Sequence, residues 1–160
     1  MKNTFLAFII FMICTSPAYA EFKSFKLETE QMEQLIKCSN PKISTIADFP
    51  DLWSCVSPGA EVVKVFINAK QDNRDVENIK VMWNDWTKDT GYGVHTDKHI
   101  AEMWLTAIAE KYAPQQVDEV LSAYKGTSKK IIENSRFILT YSYYSGPAID
   151  ERLFVITAVD

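Results

Sequence analysis

The first twenty residues decide how much of this chain has to fold, and in what surroundings. Lys2 supplies a positive charge, and residues 5–13 form an unbroken apolar run. Ala18-Tyr19-Ala20 then sets small side chains at both positions a signal peptidase must accept. Charge, short apolar core and A-x-A site in that order predict a secretory leader over residues 1–20, cleaved before Glu21. The apolar run is too short for a membrane span, which needs roughly 20 apolar residues. Cys14 follows Phe11-Met12-Ile13, not the small residue a lipid anchor requires. The expected product is an exported protein, periplasmic or extracellular, with one folding unit over residues 21–160.

Loss of the leader removes Cys14 and leaves Cys38 and Cys55. An even pair in an exported chain predicts a disulfide. The two cysteines are 17 positions apart, and closing a loop of that size is worth about 3 kcal/mol by chain entropy. Catalytic dithiols sit as C-x-x-C, and these do not. The chain carries 17 Lys and Arg against 21 Asp and Glu, and losing Lys2 moves the net charge from −4 to −5. With no basic stripe, binding to nucleic acid is disfavoured. No second apolar stretch approaches membrane length, so no span is expected after leader cleavage.

Residues 28–37 read as a helix, with Met32, Leu35 and Ile36 on one face and acids in the first turn. Residues 42–60, interrupted by Pro50, Pro58 and Gly59, read as an irregular, partly helical segment tied back through Cys38–Cys55. Residues 62–67 are β-branched, and residues 79–83 alternate apolar with Lys80 and Met82. Together they predict a hairpin. The clearest helix covers residues 97–112, with Thr96 or Asp97 as N-cap. A shorter one covers 115–124 and stops at Gly126. Residues 137–144 and 153–159 complete a second hairpin. The expected fold is α+β, in the order helix-strand-strand-helix-helix-strand-strand. About four antiparallel strands carry three helices, packed largely on one face.

Chemistry has few places to sit. Residues 83–99 hold both histidines, His95 and His99, and the carboxylates Asp85, Asp89 and Asp97. Four-residue spacing would stack the histidines on one helical face, making a divalent-metal or acid–base site conceivable. The competing reading makes Asp97 a cap and Asp85 and Asp89 loop residues, and the H-E-x-x-H glutamate is missing. No G-x-S-x-G or S-x-x-K nucleophile pattern occurs. Gly91-Tyr92-Gly93 permits a turn with positive φ that would present Tyr92. Trp86, Tyr92 and Tyr144 are candidates for an exposed aromatic contact surface, joined by Ile149, Asp150 and Arg152 of the last hairpin loop. The balance favours a non-catalytic binding protein of inhibitor, immunity or assembly-factor type, with an envelope protein or glycan as partner and no cofactor. A small enzyme centred on His95 and His99, and a structural or self-associating envelope component, are the alternatives.

Overall fold

Alternation of buried and half-exposed side chains organises most of this chain into strands. The computed structural model describes residues 22–89, 91, 93–94 and 96–159. The expected leader and the site candidates Tyr92 and His95 lie outside them. The elements are α1 (Phe25–Leu35), β1 (Lys42–Ser44), β2 (Leu52–Val56), β3 (Val63–Ala69), β4 (Val76–Trp86), α2 (Lys98–Tyr112), α3 (Val117–Lys125), β5 (Lys130–Glu133), β6 (Phe137–Ser145) and β7 (Ile149–Ala158).

The strands form one antiparallel sheet in the order β1-β2-β3-β4-β7-β6-β5. The expectation of about four strands is therefore corrected to seven. The two expected hairpins are present as β3–β4 and β6–β7. β7 inserts beside β4, which joins two meanders into one sheet. The additional strands are β1, β2 and β5. β2 occupies what reads as irregular sequence because Pro50 and Pro58 fall outside it. Between them Trp53 and Cys55 point inward, alternating with Leu52, Ser54 and Val56.

Inward parity is continuous across the sheet. Trp53 stands opposite Ile67, Ile67 opposite Ile79, Ile79 opposite Ile156 and Ile156 opposite Leu139. These side chains and the buried faces of all three helices make a single core, so the helices share one side of the sheet. Each fully buried Ile or Leu contributes roughly 1.5–3 kcal/mol. α1 lies over β3 and α2 over β4, while α3 sits beside β5. A bulge where Asn68 and Ala69 meet β4 brings Val76 and Ile79 to the same side.

α1 begins three residues earlier than the periodicity implies, because Phe25 is buried and its N–H donates to the Arg74 carbonyl at 2.6 Å. Buried Glu28 accepts the Lys23 N–H, the Tyr112 hydroxyl at 2.7 Å and the Lys111 ammonium, which pins α1 to the end of α2. The Cys38–Cys55 disulfide is formed, with the Cα atoms 6.0 Å apart, and fixes the end of α1 to β2. Asp97 occupies the N-cap position of α2, yet its side chain makes no capping bond. Its backbone is left-handed at φ 39°, a conformation Asp tolerates better than most residues. No helix among the described residues is long and apolar enough to cross a membrane.

Candidate functional site

The end of the sheet formed by the last turn of β4 and the β6–β7 hairpin gathers most of the residues singled out from the sequence. Register sorts them onto two faces. Trp86 stands opposite Ile149, and Asn84 opposite Glu151, which in turn faces Tyr144. Asn84, Tyr144, Ile149 and Glu151 share the side of the sheet away from the helices. Asp85 stands opposite Asp150, which faces Ser145. Trp83 stands opposite Arg152, which faces Tyr143. These share the helix side.

On the helix side, Arg152 is the organising group. Its guanidinium lies 4.9 Å from the Trp83 ring centroid and 5.0 Å from that of Tyr143, a sandwich favourable for a flat cation. Its Nη1 donates to Asp85 Oδ2 at 3.2 Å, and both side chains are nearly withdrawn from water. Burial pushes the Asp85 carboxyl above its ordinary range, against the pull of Arg152 and with a further push from Asp150. Asp150 feels some desolvation too, but hydrogen bonds from Ser145 and Tyr143 and the Arg152 charge hold it below the usual carboxylate range. Tyr124 stacks 5.5 Å from Trp83, and burial drives its hydroxyl well up. The Trp83 indole N–H donates to the Thr96 carbonyl and fastens the loop after β4 to the sheet. Arg152 is thus engaged from within and braces the hairpin, whereas the Asp150 hydrogen bond from Ser145 is exposed.

On the open side, Tyr144 is 70 % exposed and forms one wall of a cavity of about 280 Å³. Pro147, Ala148 and Ile149 complete its apolar lining, with the Asn84 amide and the Glu151 carboxylate as its polar groups. Asn84 Oδ1 is buried without a hydrogen-bond partner among the described residues. Gly146 makes the turn possible: a Cβ there would stand 2.7 Å from the Ile149 carbonyl oxygen, whose acceptance of the Gly146 N–H closes the hairpin. Trp86 is half-buried against the margin of the core.

Asp89 Oδ1 accepts the N–H groups of Gly91 at 2.8 Å and Gly93 at 3.0 Å, with both glycines at positive φ. His99 is exposed in the first turn of α2. Asp85 is committed to Arg152. Among the described residues no group of three or more His, Cys, Asp or Glu is placed to hold a metal ion. Sequence reasoning did not bring Tyr124 or Asn84 to this end, nor Trp83 and Tyr143 to Arg152. Strand parity could have grouped Asn84 with Trp86 and Tyr144 with neighbours across the hairpin. The β4–β7 register that joins them is long-range and has no local signal. Compared with known protein families, curated proteins and solved structures, the chain shows no significant match.

Proposed function

We propose that this is an exported, non-catalytic binding protein of the inhibitor, immunity or assembly-factor type, and that its partner engages the open side of the β6–β7 hairpin. The observation that carries this reading is the exposed Tyr144 ring walling an apolar cavity beside Pro147 and Ile149. A large aromatic held out on a rigid hairpin loses little conformational entropy on binding, which is how interface anchors work. The mostly apolar lining favours a protein side chain over a glycan, with the Glu151 carboxylate beside it to orient a donor group. The internal disulfide fits an oxidising compartment such as the periplasm.

The test is comparative capture from an envelope extract. The mature chain is the bait, beside Tyr144→Ala and Ile149→Asp, with Ile43→Ala on β1 at the far edge of the sheet as control. A species retained by the parent and the control but lost from both hairpin variants is the expected result. Identical profiles for all four baits would refute the reading. Elution by soluble glycan but not by high salt would move the partner to the carbohydrate class.

A further inference from the structure

Both faces of the β6–β7 hairpin set an aromatic ring beside a carboxylate, and on the helix side a cation joins them. There Trp83 and Tyr143 hold the Arg152 guanidinium at 4.9 and 5.0 Å, with Asp85 as its counter-ion. One residue along each strand, on the open side, Tyr144 stands opposite Glu151. Glu151 forms no ion pair among the described residues. Its other cross-strand partner is Asn84, and Ile149 and Leu153 flank it along β7.

The neighbouring cations are engaged or remote. Arg152 is held on the helix side, where the Lys88 charge also acts on Asp150. Lys80 stands opposite Val155, four residues beyond Glu151 and about 14 Å from it at the rise of a strand. Lys64 lies on β3, two strands away from β7. Elsewhere on the open side an apolar side chain stands opposite a lysine, Met82 opposite Lys64 and Phe66 opposite Lys80. At the hairpin Glu151 takes the place of that lysine. Tyr144 stays 70 % exposed, and the carboxylate beside it has no opposing charge.

The cavity of about 280 Å³ between Tyr144, Pro147 and Ile149 is mostly apolar, with Glu151 on its polar side. An occupant with an aliphatic stem and a cationic head suits both parts. The stem covers Pro147 and Ile149, and the head meets the ring face and the carboxylate. A purely apolar occupant would desolvate Glu151 without a partner, and an acidic one would repel it. We infer that the hairpin cavity receives a basic side chain of the partner protein, lysine or arginine, with its charge between the Tyr144 ring and the Glu151 carboxylate. This rests on the hairpin as the partner surface and adds the chemistry that surface selects.

The probes are short capped peptides with a central lysine, glutamate or norleucine, which keeps the four-carbon stem without the ammonium. Each is titrated into the mature chain and followed by amide and aromatic NMR shifts. The lysine peptide is expected to saturate with shifts centred on Tyr144, Ile149 and Glu151, and to bind about fivefold tighter than the norleucine peptide. Glu151→Gln, which keeps the shape of the side chain, should remove most of that preference, as should about 0.5 M salt. Ile43→Ala should preserve it. Equal affinity for the lysine and norleucine peptides at the same residues would overturn the inference and leave the hairpin as a surface for an apolar side chain. Absence of shifts at Tyr144 with every peptide would overturn it as well. If Tyr144→Ala and Ile149→Asp then still capture the parent's envelope species, the partner surface falls with it. Concentration-dependent shifts at Tyr144 without peptide would also overturn it, assigning the cavity to a second copy.

Discussion

Replacing Arg152 by alanine tests the helix-side cluster most directly. The Arg152 and Asp85 side chains are 11 % and 9 % exposed, so their pair is close to fully desolvated. Removing one partner of such a pair leaves the other buried and uncompensated, at about 3–5 kcal/mol. The two ring contacts at 4.9 and 5.0 Å disappear as well, each worth about 0.5–2 kcal/mol. These terms share one side chain and do not simply add, so the expected loss is about 4 kcal/mol at neutral pH. That is a large fraction of the roughly 5–15 kcal/mol a domain possesses.

The loss is also pH-dependent, with a defined sign. The folded Asp85 pKa is already raised above 3.8 by burial. Its contribution to stability is therefore fully present below the unfolded value and is lost as pH rises through the folded one. Without Arg152, the charge that pulls this pKa down is gone and the window widens upward. Urea unfolding of Arg152→Ala should show a deficit that shrinks from about pH 7 toward about pH 4. Asp85→Asn in the same chain should recover much of the neutral-pH loss and flatten the profile. A deficit under about 1 kcal/mol at neutral pH, or one independent of pH, would refute the buried-pair account.

Three further outcomes follow from single contacts. Cys38→Ala/Cys55→Ala should lower stability by about 2–4 kcal/mol, and reductant should have the same effect on the parent and none on the variant, read by urea midpoints. Tyr141, its hydroxyl donating to the Gly126 carbonyl at 2.7 Å, has its pKa pushed up to about 12 by burial. Its contribution to stability is therefore intact below the unfolded value of 10.0 and lost as pH rises through about 12. Tyr141→Phe should remove that alkaline step and cost about 1 kcal/mol, measured by unfolding alongside an ultraviolet phenolate titration. Gly146→Ala forces a Cβ against the Ile149 carbonyl oxygen; a loss of about 1–3 kcal/mol in thermal unfolding is expected, with displaced amide resonances confined to the β6–β7 hairpin.

What the sequence made legible divides by range of interaction. α2 and α3 were readable because Trp104, Ile108 and Tyr112, and then Val120 and Tyr124, repeat at helical spacing and are the residues that become buried. β4 and β6 declared themselves by alternation, β3 by its β-branched run and β7 as a stretch apolar on both parities. β1 and β5 are three and four residues long, too short for any period to emerge, and their status rests on pairing with β2 and β6. β2 alternates plainly, but five residues between prolines also fit an irregular segment. The pairing of β2 with β3 and the disulfide at Cys55 decide the matter. At the site, Tyr144 and Ile149 were visible as aromatic and loop residues. The Arg152–Asp85 pair was not, because 67 positions separate them and only the β4–β7 register brings them together.

The placement of exposed apolar side chains on this sheet has a physical origin. With all three helices on one side, the other side of a seven-stranded sheet faces water. Its centre manages this by alternating charge with apolar bulk across strands: Lys64 stands opposite Met82 and Lys80 opposite Phe66. The aliphatic stems of both lysines can cover their apolar neighbours while the ammonium groups stay hydrated. That pairing fails toward the margins. At the β6–β7 turn Tyr144 faces Glu151, which is too short to cover the ring, and at the β1 edge Ile46 and Phe49 lie beyond the last strand that could supply a lysine opposite. On the sheet, exposed apolar side chains therefore lie at its margins, at Tyr144, at Ile43, Ile46 and Phe49, and at Ile131 of β5, and not on its broad open face. Of these margins, the β6–β7 end is the one where an exposed aromatic walls an apolar cavity, which is why a partner is expected there.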